Sequence, residues 1–140
     1  MERIVVGVDG SQPAREALRW AVDEARRRKA TVEAVYAWHQ PFMAGYMMEG
    51  ELDLGDYEED AQKVLDSTVD EVKNGGDVSI ERKLVPGSAA GALVDEAKGA
   101  TLLVVGSRGR GGFTGLLLGS VSQQAAQHAP CPVVIIPPVA

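Results

Sequence analysis

Short apolar, β-branched runs alternate with stretches of helical spacing along the whole chain, and that alternation leaves few folds open. The runs are Arg3–Val8, Thr31–Trp38, Val78–Val85, Leu102–Val105 and Val133–Ile136. Between the first two, Ala14, Ala17, Leu18, Ala21, Val22 and Ala25 fall on one helical face. Ser11 stands where a cap belongs, and Pro13 sits in the first turn, where its missing N–H costs nothing. Arg26 to Lys29 close this helix as a solvated basic end that complements its dipole. Asp56–Lys73 reads as a second helix with a stop at Asn74-Gly75-Gly76, and Ser88–Lys98 as a third, capped by Ser88. Val121–Gln127 reads as a fourth, with Ser120 as its expected cap. Strands separated by helices imply an α/β fold, a parallel sheet with helices on both faces. Charges alternate along Val78–Val85, which places that strand near an edge. In such sheets ligands bind at the carboxyl ends of the strands, where strand order reverses.

The fourth run ends in Gly106-Ser-Arg-Gly-Arg-Gly-Gly-Phe-Thr-Gly-Leu-Leu-Leu-Gly-Ser120, which leads directly into the fourth helix. Glycines here let the backbone approach a ligand with no β-carbon in the way. Successive N–H groups then form an anion nest, and the helix N-terminus adds partial positive charge. A polyphosphate is the simplest ligand for this arrangement. The segment is not a Walker A loop, because no Gly-Lys-Ser/Thr closes it. It is not the dinucleotide fingerprint either, since Thr114 stands where the third glycine belongs.

Gly106, Gly109, Gly119 and Ser120 carry a different spacing, and it resembles the nucleotide-binding motif of the ATP-binding branch of the universal stress protein family. Ile4-Val-Val-Gly-Val-Asp-Gly-Ser11 looks like the family's first strand with its terminal aspartate. Leu84-Val-Pro-Gly87 with the alanine-rich stretch after it resembles the third strand and helix, and Ala129–Pro137 the closing strand. The resemblance covers residues 1–140 as a single domain. It implies an open five-stranded sheet of order 3-2-1-4-5, a Rossmann-like nucleotide-binding fold, with the crevice between Asp9 and Gly106. It also implies a homodimer through Val133, Val134, Ile135 and Ile136, an apolar edge bracketed by Pro132, Pro137 and Pro138.

Asp9, followed by Gly10 and Ser11, reads either as a turn aspartate or as a ligand to nucleotide, directly or through Mg²⁺. The resemblance favours binding. Ala37 ends the second strand where the family makes a backbone contact to adenine, and many members carry valine there. Val105, Gly106, Ser107, Arg108 and Gly109 form the near side of the expected phosphate site. Gly119, Ser120, Val121 and Ser122 form the far side. Ser107, Ser120 and Ser122 offer hydroxyl donors, whereas Arg108 and Arg110 read equally as phosphate partners or solvated loop charges. The linker from His39 to Gly55 is long beside the usual ~4–6 residues and holds Phe42, Met43, Tyr46, Met47 and Met48. A lid, a partner surface and a loop folded onto the core all remain open for it. His128 reads as a structural residue at a helix end, and Cys131 as a small hydrophobe.

With 140 residues, 45% of them hydrophobic, the chain can build one full core. A net charge of −6 argues against a broad nucleic-acid footprint. It does not exclude an acidic nucleotide, because global charge is screened over roughly 8 Å. Met1-Glu2-Arg3 runs straight into a strand, no run approaches the ~20 residues of a membrane span, and one cysteine makes no internal disulfide. A cytoplasmic protein, binding neither nucleic acid nor membrane, is the expectation. The expected function is ATP binding, with Mg²⁺ as an optional companion, in a regulatory, stress-response role. The glycine loop contains no His, Glu or Lys to serve as a base, so hydrolysis should be slow at most. The alternatives are a nucleotide-utilising enzyme of the same architecture, an ATPase or adenylyl transferase, and a cyclic-nucleotide-binding module.

Overall fold

The structure, a computed structural model, describes residues 2–38, 54–72, 76–107 and 119–138. The elements are β1 (Arg3–Gly7), α1 (Gln12–Arg28), β2 (Thr31–Trp38), α2 (Leu54–Val72), β3 (Ile80–Pro86), α3 (Ala89–Glu96), β4 (Leu102–Gly106), α4 (Ser120–His128) and β5 (Val133–Ile136). Their strands form one parallel sheet of order β3-β2-β1-β4-β5, the order the resemblance implies. β3 is an outer strand, as its alternating charges require.

The period-two pattern of each strand sorts its side chains between two cores. Ile4, Val6, Val32, Ala34, Leu102 and Val104 face α1 and α2, against Leu18, Val22, Leu65 and Val69. Val5, Val35, Leu103 and Val105 face the other way, against Leu93, Ala97 and Ala125 of the α3–α4 side. The central strands are therefore buried on both faces, which explains why their sequences read as continuous apolar runs.

Several boundaries differ from the sequence reading. The ladder of β3 begins at Ile80 rather than Val78, because Val78 turns into the α1–α2 core before the strand starts. Helix α3 stops at Glu96, two residues early, where a turn leads to Gly99 at φ 78°. Helix α2 starts two residues earlier than read, at Leu54. The basic end of α1 is solvated and laced with ion pairs, Arg26 to Asp23 and Asp77, Arg28 to Glu24 and Glu2. Lys73, Asn74 and Gly75, the expected stop of α2, lie outside the described residues. No helix among the described residues is long and apolar enough to cross a membrane.

Candidate functional site

Strand order reverses between β1 and β4, and Asp9, Gly10, Ser11, Gly106 and Ser107 lie at the carboxyl ends of those two strands. On the β1 side, Val8 extends the ladder by donating its N–H to Val35 O at 2.9 Å. The chain then turns through Asp9 and Gly10, and Gly10 takes the left-handed region, φ 84°, that only glycine enters freely. The N–H of Ser11 donates to Asp9 Oδ1 at 2.9 Å, and its hydroxyl donates to the same oxygen. Ser11 Oγ also accepts from the N–H of Ala14 at 3.3 Å, so it caps α1 as expected. The turn reading of Asp9 is thus realised in the structure, and one of its carboxylate oxygens is committed to holding the turn. Arg15 Nη1 ties the same turn by donating to Gly10 O at 2.9 Å.

On the β4 side, Gly106 packs directly on the first turn of α1. A β-carbon there would lie 3.0 Å from Pro13 Cβ and 3.1 Å from its backbone C and O. This contact brings the two strand ends together, and it supplies a second reason for glycine at a position singled out for phosphate approach. Ser107 follows, with its N–H donating to Ile136 O at 2.8 Å. Its hydroxyl is buried and finds no hydrogen-bond partner among the described residues, a costly state for a polar atom. The far side of the loop closes onto the same residue, since Gly119 N–H donates to Ser107 O at 2.7 Å.

The cap of α4 is a correction. Gly119, not Ser120, holds the N-cap position with φ −68° and ψ 165°, and no side chain among the described residues caps the helix. The serine starts the helix instead, one residue too late for its hydroxyl to turn back on the N-terminal amides. The amides at the start of α4 are therefore not satisfied by a serine cap. The Ser122 hydroxyl is also placed differently from a ligand donor. It is buried, and lies 3.0 Å from Ser107 O and 2.9 Å from Gly119 O.

Val105 and Val121 turn their side chains into the α3–α4 core, so a ligand would meet only their backbone. Ala37 lies near the end of β2, in register with Val85, half-buried. Cys131 packs against the α3–α4 core and its thiol is pushed up by burial, in keeping with its reading as a small hydrophobe. His128 is the last residue of α4. Arg108, Gly109, Arg110 and the linker segment 39–53, with Phe42, Met43, Tyr46, Met47 and Met48, lie outside the described residues. Among the described residues no group of three or more His, Cys, Asp or Glu could hold a metal ion.

A second cluster escaped the sequence reading. Glu33 of β2 is buried, its side chain only 3% exposed, on the α3 face of the sheet. Arg3 Nη1 lies 3.2 Å from its Oε2 and Lys83 Nζ 3.4 Å from its Oε1, while the same ammonium reaches Glu96 Oε2 at 3.2 Å. Burial first, and the neighbouring Glu96 carboxyl second, push the Glu33 carboxyl above its ordinary range, and its Oε1 is buried with no hydrogen bond among the described residues. The proximity of Glu33 is the main cause that holds Glu96 below its own. Of the two neighbouring carboxyls, Glu33 is the one that keeps its proton to higher pH. Arg3 anchors this arrangement further by donating to the carbonyls of Glu96 at 2.9 Å and Lys98 at 2.7 Å.

The universal stress protein family model matches residues 1–137. A curated universal stress protein of Mycobacterium tuberculosis strain H37Rv is 37% identical over 141 residues, covering 95% of this chain and 46% of the relative. The chain thus spans about half the length of the curated relatives it matches. Among solved structures, a universal stress protein in complex with cAMP matches with a TM-score of 0.75 and 28% identity, covering 96% of each chain. The universal stress protein from Archaeoglobus fulgidus in complex with dAMP matches with a TM-score of 0.73 and 26% identity, covering 97% of this chain and 98% of that one.

Proposed function

This chain belongs to the universal stress protein family, and we propose that it is an adenine-nucleotide-binding regulatory protein of the stress response, built as one domain over residues 1–140. The observation that carries the reading is convergence. The Asp9–Ser11 turn, the Gly106–Ser107 strand end and the start of α4 meet at the strand-order reversal, with the buried Ser107 hydroxyl lacking a partner among the described residues. A phosphate oxygen supplies the acceptor this hydroxyl lacks, and the uncapped N-terminus of α4 supplies the dipole. That solved family members carry cAMP and dAMP supports adenine as the base.

ATP is the proposed ligand. Asp9 would act on it through Mg²⁺, because a carboxylate beside a polyphosphate needs a bridging cation. Hydrolysis is slow at most, in a cytoplasmic setting. The experiment is to identify any nucleotide that co-purifies, then titrate ATP, AMP and cAMP with and without Mg²⁺. We expect ATP binding that weakens in Asp9→Ala, with a larger loss when Mg²⁺ is present. Absence of binding by any adenine nucleotide at millimolar concentration overturns the reading, and equal affinity in Asp9→Ala returns Asp9 to a turn role alone.

A homodimer through β5 belongs to the same proposal. Pro132 O and Ile136 O both accept from β4, so backbone alternation turns the N–H and C=O of Val133 and Ile135 toward the outer edge of the sheet. Two-fold pairing of that edge would satisfy them in one closed interface. Sedimentation should show a dimer at micromolar concentration, and a concentration-independent monomer refutes it.

A further inference from the structure

We infer that Ser122 is a positioning residue that fastens the two ends of the glycine loop to each other, rather than a ligand to the nucleotide. The inference rests on the nucleotide-binding reading above for its functional consequence. Its geometry stands apart from that reading. The Ser122 side chain sits in the first turn of α4 and is 1% exposed, so it offers almost no surface to a ligand. Its one hydroxyl proton faces two carbonyls at once, Ser107 O at 3.0 Å and Gly119 O at 2.9 Å. Ser107 ends the near side of the loop and Gly119 begins its far side.

Both carbonyls already have an amide donor. Gly119 N–H reaches Ser107 O at 2.7 Å, and Gln123 N–H reaches Gly119 O at 3.0 Å. Removing the Ser122 hydroxyl therefore strands no buried acceptor, and alanine is a better helix former than serine. The hydroxyl adds a fastener where backbone satisfaction is already complete. What it contributes is geometry. It holds Ser107, whose N–H is fixed to β5 through Ile136 O, at a set distance from the first turn of α4. A site whose two sides, Ser107 and Gly119, are held at a set separation before the ligand arrives loses less freedom on binding, which raises affinity without any contact to the ligand.

The test uses the full chain with two readouts. In nucleotide-free protein, hydrogen exchange at the Gly119 amide should speed up several-fold in Ser122→Ala, because the bond that protects it has lost its neighbour. In calorimetric titration with ATP, Ser122→Ala should bind about tenfold more weakly at an unchanged melting midpoint. Ser122→Thr, which keeps the hydroxyl, should recover most of that loss if its midpoint is also unchanged. Wild-type affinity in Ser122→Ala, or unaltered Gly119 exchange, overturns the fastener. Failure of the wild type to bind ATP overturns the nucleotide reading alone, since the exchange measurement still decides the role of Ser122.

Discussion

Gly106→Val should lower ATP affinity by more than two orders of magnitude, and Gly7→Ala should leave that affinity within about twofold while costing stability. Both glycines end a central strand, and both leave no room for a side chain. They differ in what stands in the way. At Gly106 an added β-carbon meets the backbone of Pro13 at 3.1 Å, and no rotamer change relieves a backbone contact. The first turn of α1, capped by Ser11, must shift against β4 and carry the Asp9–Ser11 turn with it. Valine adds two further methyls to that conflict. At Gly7 the β-carbon would meet Leu93 Cδ1 at 2.6 Å, the far end of a side chain on the opposite face of the sheet. Leu93 can move, at an overpacking cost of about 1–3 kcal/mol, without displacing the site. Parallel melts and titrations decide the matter. A folded Gly106→Val protein that binds ATP like wild type would detach the site from the β1–β4 crevice.

The same two glycines show what sequence reading can and cannot reach. Strand periodicity located β1 and β4, because residues such as Ile4 and Val5 are apolar on both faces and only a doubly covered sheet accepts that pattern. The position of the crevice then followed from topology, and Gly106 was found by its spacing to Gly109 and Gly119. Its contact with Pro13 joins residues distant in sequence and has no local signature. The cap of α4 was misplaced by one residue because Ser120 carries the stronger capping propensity, whereas tertiary pairing of Gly119 N–H with Ser107 O sets where the helix begins. Ser122 was read as a donor because its residue type is right for one. Only burial reveals that its hydroxyl faces two carbonyls instead. Glu33 was passed over altogether. Between Val32 and Ala34 it looks like an ordinary solvent-facing position in a half-buried strand. The face it points to is covered by α3, and its partners Arg3, Lys83 and Glu96 come from three other elements.

That buried carboxyl should make the stability of the fold fall as pH rises, opposite to the usual behaviour of a salt-bridged acid. The folded-state pKa of Glu33 is raised above the ordinary 4.5, so folding takes up a proton there. Its contribution is complete below 4.5 and is lost as pH climbs through the raised value. Glu96 has the opposite sign. Its folded pKa is lowered, so its contribution is present above 4.5 and disappears as pH falls through the lowered value. The two are linked, because a neutral Glu33 leaves Glu96 without a like charge beside it. Once pH has removed that proton, two carboxylates share one buried site. Arg3 from β1 and Lys83 from β3 face them, with the α3 carbonyls held by Arg3 alongside. Those cations offset part of the repulsion, and burial of Glu33 outweighs them. Each unit by which the pKa is raised corresponds to about 1.4 kcal/mol lost across the window. Glu33→Gln replaces the titrating carboxyl with a permanently neutral amide of similar shape. Urea melts at steps from pH 4.5 upward should therefore show wild-type stability declining relative to the glutamine variant, with the two closest at the acid end. Parallel pH profiles for the two proteins would mean that Glu33 is ionised throughout, held as a simple ion pair with Arg3 and Lys83.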